Sequence, residues 1–251
     1  MIAFNKFDIQ YYVNLLAKKK YFAFAGYSDA EWFSILKYDI GKATGLGQIL
    51  DEHTGERLFD VILRRYSDPN FLFAVPFCFW EWEDFINAKI GEKIELLLKA
   101  HNIDMAFYER DIVLDELAQE AGLYPFIHQL QQMKTVVIGN KDLARLDFLG
   151  YDHYIKISCP NLHLEEGGIE RAVENAQHYG QSAVYLVSAG MSAALIIDQL
   201  WGTIPNSFFI DCGSIWDAFV GIGAQREWRK KLYDNPAELE RWKHDNLYGK
   251  S

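Results

Sequence analysis

Ala183-Val184-Tyr185-Leu186-Val187-Ser188-Ala189-Gly190-Met191 decides the fold. Five apolar residues in succession show no apolar–polar alternation. A strand with one face in water alternates, whereas a strand covered on both faces need not. Ser188, Ala189 and Gly190 are small enough to turn the chain sharply, and Met191–Trp201 then carries helical periodicity. The stretch reads as a buried strand feeding a helix, the repeating unit of a parallel sheet with helices on each side.

The same unit recurs outward from it. Thr135–Gly139 is a second continuous apolar strand, followed by a short helix over Lys141–Leu149. Tyr154–Ser158 and Ser207–Asp211 are strands, with a helix over Glu166–Tyr179 between Tyr154–Ser158 and the Ala183 strand. Toward the N-terminus, Asp8–Lys19 is an amphipathic helix and Tyr21–Ala25 a short strand ending at Gly26. A helix over Asp29–Tyr38 follows, capped by Ser28 or Asp29. Ile40–His53 holds three glycines and reads as a loop before a helix over Thr54 and Arg57–Arg65. Phe71–Val75 is a strand stopped by Pro76, and Ile103–Tyr108 another. Trp80–Lys89 and Glu92–Ala100 are acidic amphipathic stretches, and Val113–Gln132 is mostly helix, broken near Gly122 and Pro125. The expected fold class is α/β and Rossmann-like, with a mostly parallel sheet in a single domain over residues 1–224. Residues 225–251 form a polar helical appendage on that domain, in which Asp234-Asn235-Pro236 starts a helix.

Composition narrows the classes. A hydrophobic fraction of 50% is too high for a disordered chain. A net charge of −10 argues against a protein built mainly to coat nucleic acid. Cys78, Cys159 and Cys212 are odd in number and widely spaced with no CxxC pair, which argues against a zinc cluster or a disulfide framework and fits buried thiols in a reducing compartment. The longest apolar run, Phe71–Trp80, is broken by Pro76 and falls short of the roughly 20 residues that a bilayer span needs. A cytoplasmic protein without a membrane span is expected.

In an open α/β sheet, ligands bind beyond the carboxyl ends of the strands. Those junctions hold Gly26, Tyr27, Ser28, Asp29 and Glu31 after the first strand, Gly139 and Asn140 after the Thr135 strand, and Cys159-Pro160-Asn161 after the Tyr154 strand. Ser188, Ala189, Gly190 and Met191 follow the Ala183 strand, and Asp211, Gly213, Ser214 and Asp217 follow the last. Asp29 and Glu31, two positions apart at a strand-to-helix turn, are able to converge on one hard cation. Acidic residues in a first helical turn also complement the macrodipole and cap free amides, so spacing alone leaves both roles open. Gly190 and Met191 offer backbone amides to an anion at a helix start, or form a tight turn with nothing bound. The Asp211–Ser214 turn resembles the Asp-x-Gly-x-Gly turn of S-adenosylmethionine methyltransferases, although it stands on the last strand and lacks the second glycine. Arg226, Arg229, Lys230 and Lys231 read as a solvated basic face, or as a group reaching phosphates at the rim. No dinucleotide fingerprint, Walker lysine or nucleophile elbow is present.

Phe24-Ala25-Gly26-Tyr27-Ser28-Asp29-Ala30-Glu31-Trp32 resembles the Asp-x-Glu segment of bacterial and phage glycosyltransferases of the GT-D fold. Further segments resemble that family in order: the Gly47–His53 loop, where relatives have a histidine, Val136–Gly139, Cys159-Pro160-Asn161, Ser188–Ala193 and Phe209–Asp217. The chain departs from the family at Ala30, which stands for glycine, at Asn140, which stands for proline, and at Ala25 or Gly26, where arginine is common. The resemblance implies transfer of a sugar from a nucleoside-diphosphate sugar, UDP-hexose for preference, to a hydroxyl on a glycan, a protein or a modified DNA base. It implies Mn²⁺ or Mg²⁺ on Asp29 and Glu31, and diphosphate contacts at Gly190 and Met191. Asp217, Asp211 and His53 are left as alternatives for orienting the acceptor or taking its proton. Two rival readings of the residues are a methyltransferase using the Asp211 turn and a non-catalytic nucleotide-binding module.

Overall fold

A computed structural model describes residues 3–45, 47–76, 79, 89–109, 115–223 and 226–250. The first half runs β1 (Ala3–Asn5), α1 (Ile9–Ala17), β2 (Ala23–Gly26), α2 (Asp29–Ile35), α3 (Glu52–Arg65), β3 (Phe71–Val75), α4 (Ile90–Ala100) and β4 (Ala106–Glu109). The second runs α5 (Asp115–Gln119), α6 (Tyr124–Leu130), β5 (Thr135–Gly139), β6 (His153–Lys156), α7 (Gly168–Gln177), β7 (Val184–Val187), α8 (Ser192–Thr203) and β8 (Phe208–Asp211). Helices α9 (Asp217–Val220), α10 (Glu227–Asp234) and α11 (Pro236–Tyr248) close the chain.

The eight strands form one sheet in the order β1-β4-β3-β2-β8-β7-β5-β6, and every pair is parallel. Side chains of β7 account for the lack of alternation in its sequence. Tyr185 and Val187 enter the core on one face, with α3, α7 and α8. Val184 and Leu186 enter the core on the other, with α1 and α6. Strand β2 divides likewise, Ala23 and Ala25 to one face and Phe24 to the other, which Phe22 just before the strand also joins.

Several boundaries differ from those the sequence pattern predicts, each for a local reason. Helix α3 begins at Glu52 because the Asp51 carboxylate accepts from the Thr54 amide at 2.7 Å. His53 is thereby in a helical turn rather than in the preceding loop. Gly55 faces the end of α2 so closely that a Cβ there would sit 2.2 Å from the Ser34 carbonyl oxygen. Lys141–Leu149 forms two 3₁₀ turns, Lys141–Arg145 and Asp147–Leu149. Strand β1 is too short to leave a periodic trace. The expected acidic helix over Trp80–Lys89 lies outside the described residues except for Lys89.

The C-terminal segment forms two helices where one was expected. Trp242 donates through its indole to the Ala118 carbonyl at 2.7 Å, and the Asn246 side-chain carbonyl accepts from the Leu123 amide at 3.0 Å. Both contacts bind α11 to the α5–α6 region. No helix among the described residues is long and apolar enough to cross a membrane.

Candidate active site

A cleft of about 280 Å³ lies at the carboxyl ends of β2, β8, β7, β5 and β6. In that order its wall is built from Ser28, Asp29 and Glu31, then Asp211, Gly213, Ser214 and Asp217, then Ser188 and Gly190, then Asn140, then Cys159 and Pro160. Gln48, Ile222, Gly223 and Arg226 complete it.

The acidic corner begins at Ser28, which caps α2 in extended conformation. Glu31, only 6% exposed, accepts from the Ser28 backbone amide at 2.8 Å. This is the reciprocal arm of a capping box, and it holds the carboxylate against the cleft wall. Asp29, one residue past the cap and half-buried, has no side-chain hydrogen bond or ion pair among the described residues. Among those residues no three His, Cys, Asp or Glu side chains cluster as a cage for a metal ion. Two carboxylates of which one is unpartnered fit a hard cation shared with phosphate oxygens, which is how Mg²⁺ is usually held.

Asp211 does something else. Its Oδ2 accepts from the Gly26 amide at 3.2 Å and its Oδ1 from the Gly213 amide at 2.8 Å. Both oxygens brace the ends of the neighbouring strands β2 and β8, where ladder bonding runs out.

Asp217 points to chemistry by its surroundings. Burial raises the pKa of its carboxyl, and the nearby guanidinium groups of Arg229 and Arg226 only partly reverse this. Arg229 Nη1 lies 3.2 Å from Asp217 Oδ2, while Nη2 donates to the Ser214 carbonyl at 2.5 Å and to Ser214 Oγ at 2.8 Å. Arg229 is 1% exposed, so it does not belong to the solvated face expected for the basic run. Lys230 and Lys231 are exposed, and Arg226 lines the cleft and pairs with Asp115 at 3.1 Å.

The far wall is uncharged. Ser188 is 8% exposed, and neither its Oγ nor Gln48 Oε1 has a hydrogen-bond partner among the described residues. Gln48 arrives on the loop between α2 and α3. That loop is tied down by Asn161, whose Oδ1 accepts from the Ile49 amide at 2.9 Å and whose Nδ2 donates to the Gly47 carbonyl at 3.0 Å. His163 Nε2 meets the Ile49 carbonyl at 2.9 Å. Gly190 has φ +56°, and a Cβ there would lie 3.1 Å from Gln48 Nε2 and 3.2 Å from the Pro160 carbonyl. Only glycine accommodates this backbone and this crowding together.

The structure thus brings Ser28, Asp29, Glu31, Ser188, Gly190, Asp211, Gly213, Ser214 and Asp217 to one cleft. It places the other sequence candidates elsewhere. His53 is exposed on α3 and is not part of the cleft wall. Tyr27 is fully buried, its hydroxyl donating to the Leu58 carbonyl at 3.0 Å. Ala189 is fully buried, and so is Met191, which packs with Ala30 and Leu50 and accepts from Ser34 Oγ at 3.4 Å. Gly26 is engaged through its amide by Asp211. Gly139 is pressed against Leu143, whose Cδ1 lies 2.4 Å from where a Cβ would be. Gln48 carries no signal in the sequence, and Arg229 stands out there only as one of a run of cations. For Arg229 a signal existed: it stands three residues before the buried Leu232, on the same helical face.

No family model matches the chain, and no curated protein matches it. Solved structures do. One described as domain of unknown function 1792 aligns over 93% of this chain and 82% of its own, at TM-score 0.57 and 15% identity. A second, described as that domain having a distinct glycosyltransferase fold, aligns over 100% and 91%, at TM-score 0.56 and 13% identity. This chain shares their fold. A third, described as a new glycosyltransferase from Streptococcus sanguinis, aligns over 87% and 84%, at TM-score 0.54 and 16% identity. The α/β, Rossmann-like architecture read from sequence is this glycosyltransferase fold, with a sheet that is wholly rather than mostly parallel among the described strands.

Proposed function

We propose that the protein is a glycosyltransferase that moves a sugar from a nucleoside-diphosphate sugar, a UDP-hexose for preference, to an acceptor hydroxyl. The observation that carries this reading is the position of Asp29, Asp217 and Gly190 around one cleft, at the strand ends of a fold shared with glycosyltransferases. Asp29, with Glu31 beside it, would hold Mn²⁺ or Mg²⁺ together with the donor diphosphate. Such a cation, when bound, neutralises charge that grows on the departing diphosphate. The cleft's carboxylates far outnumber its cations, which suits a donor that arrives with its own counter-charge.

Of the three residues left as alternatives for the acceptor, the geometry favours Asp217. His53 stands away from the cleft, and both Asp211 oxygens are occupied by backbone amides. Asp217 is a half-buried carboxylate on the cleft wall with a raised pKa, as a general base requires. It takes the proton of the acceptor hydroxyl as that oxygen bonds to the anomeric carbon and the carbon–oxygen bond to the diphosphate breaks. The engagement of Asp211 also removes the carboxylate that a methyltransferase reading of that turn would need.

The test is hydrolysis and transfer across a panel of nucleotide-sugars with Mn²⁺. Release of nucleoside diphosphate that a chelator stops and Asp29→Asn abolishes is the expected result. A protein inert to the whole panel, or equally active as Asp29→Asn, would overturn the reading.

A further inference from the structure

We propose that Arg229, supplied by the C-terminal helix α10, is a positioning residue for Asp217, holding its carboxylate toward the cleft and keeping it ionised. The inference rests on the transferase reading, because that reading gives Asp217 its task. Three observations converge on it. The guanidinium is buried and forks, Nη1 to Asp217 Oδ2 and Nη2 to the Ser214 carbonyl and hydroxyl. The fork ties the carboxylate to the turn that follows β8, and the guanidinium that holds it cannot swing without breaking three contacts. The sequence also clears room for it. Gly223 adopts φ +81°, and a Cβ there would fall 2.4 Å from Arg229 Nη1. Finally, Trp228 lies against the guanidinium, 5.1 Å from its ring centroid, and Tyr233 donates from the same helix to the Asp217 carbonyl at 3.3 Å. Helix α10 is therefore built around this one cation rather than merely resting on the domain.

Other charges act on Asp217 as well. Among the described residues, Arg226 favours its ionised form and Asp115 opposes it, and Cys159 and Tyr233 are further titratable neighbours. Without Arg229, burial and Asp115 stand against Arg226 as the one cation among the described residues that acts on it. An opposite charge at such range holds a carboxyl down by about one unit or more, so its loss moves the carboxyl upward.

The experiment uses full-length protein labelled with ¹³C at aspartate carboxyls, the Asp217 signal being assigned by its loss in Asp217→Asn. Wild type, Arg229→Lys and Arg229→Met are titrated. The Asp217 midpoint is expected to rise by about one unit in Arg229→Met and by less in Arg229→Lys, which keeps a cation but loses the fork. The acidic limb of the kcat profile for transfer is expected to move by the same amount, with donor KM within about twofold and kcat partly restored by lysine. If Arg229→Met does not fold, Arg229→Lys and Ser214→Ala carry the comparison. An unmoved Asp217 midpoint in folded variants overturns the proposal, as does a kcat loss without a change of profile. Wild-type protein inert toward all nucleotide-sugars, with the shift of midpoint intact, overturns the transferase reading while leaving the clamp on Asp217 standing.

Discussion

The Glu31 carboxylate reaches back 2.8 Å to the Ser28 amide, and the residue between the cap and that contact that faces the cleft is Asp29. One turn of helix therefore holds two acidic groups with separable duties. Glu31 closes the start of α2, whereas Asp29 has no partner among the described residues. Asp29→Asn is expected to abolish donor turnover with stability unchanged to within about 0.5 kcal/mol. Glu31→Ala is expected to lower stability by about 1 kcal/mol through loss of the cap contact. Paired thermal melts and turnover assays of the two variants check this; a large loss of melting temperature in Asp29→Asn would show that Asp29 too is structural.

Cys159 gives a probe of charge in the cleft. Burial pushes its thiol up to about 12, with Asp217 and then Asp211 adding to the rise. Asp217→Asn removes a negative charge, so the thiolate fraction at a given pH grows. Alkylation at pH 9, followed by mass spectrometry of the Cys159 peptide, should quicken by roughly threefold, the change that half a pKa unit brings. An unchanged rate would mean that Asp217 is not ionised in the folded protein.

The fold was legible because β7, β5 and β2 are apolar on both faces. A continuous run such as Val184–Val187 fits a strand covered on both sides and not one with a side in water. The acidic corner was legible too, since Asp29 and Glu31 are neighbours in sequence. What stayed hidden depended on contacts between distant positions. Gln48 reaches the cleft because Asn161, 112 positions from Ile49, holds its loop. Arg229 was obscured by the lysines beside it, since a run of cations looks solvated unless the burial of one member is known. Asp211 and Asp217 looked alike as acids after the last strand; only the amides on Asp211 and the guanidinium on Asp217 separate them.

The His163 contact on the Gln48 loop makes a pH prediction. Burial lowers the imidazole's pKa, the Ile49 carbonyl and Asp51 opposing this only in part. As pH falls, the unfolded chain takes up the proton first, near the ordinary value of about 6.5. The stability that neutral His163 contributes is therefore complete above that pH and is lost as pH falls from there through the folded value. Between pH 7.5 and 5.5 the melting temperature of wild type should drop more than that of His163→Gln. Parallel curves for the two proteins would remove His163 from the account.

The ion pairs behind the cleft predict a strongly non-additive pair of mutations. Asp198, with a side chain 7% exposed on α8, accepts from Arg64 Nη2 and Arg65 Nε, each at 2.7 Å. These bonds fasten α8, which follows the Gly190 turn, to α3. Arg64 is 53% exposed, so its pair is screened, and Arg64→Ala should cost no more than about 1 kcal/mol while Arg65 remains. Arg65 is more enclosed and also donates to the Asp198 carbonyl at 3.3 Å, so Arg65→Ala should cost more. Removing both leaves a buried carboxylate with neither cation, a loss of about 3–5 kcal/mol that exceeds the sum of the single changes. Urea unfolding of the two single variants and the double variant measures the coupling. Additive losses would mean that water reaches Asp198 as soon as either arginine leaves, and that the carboxylate is less enclosed in solution than its packing between α3 and α8 implies.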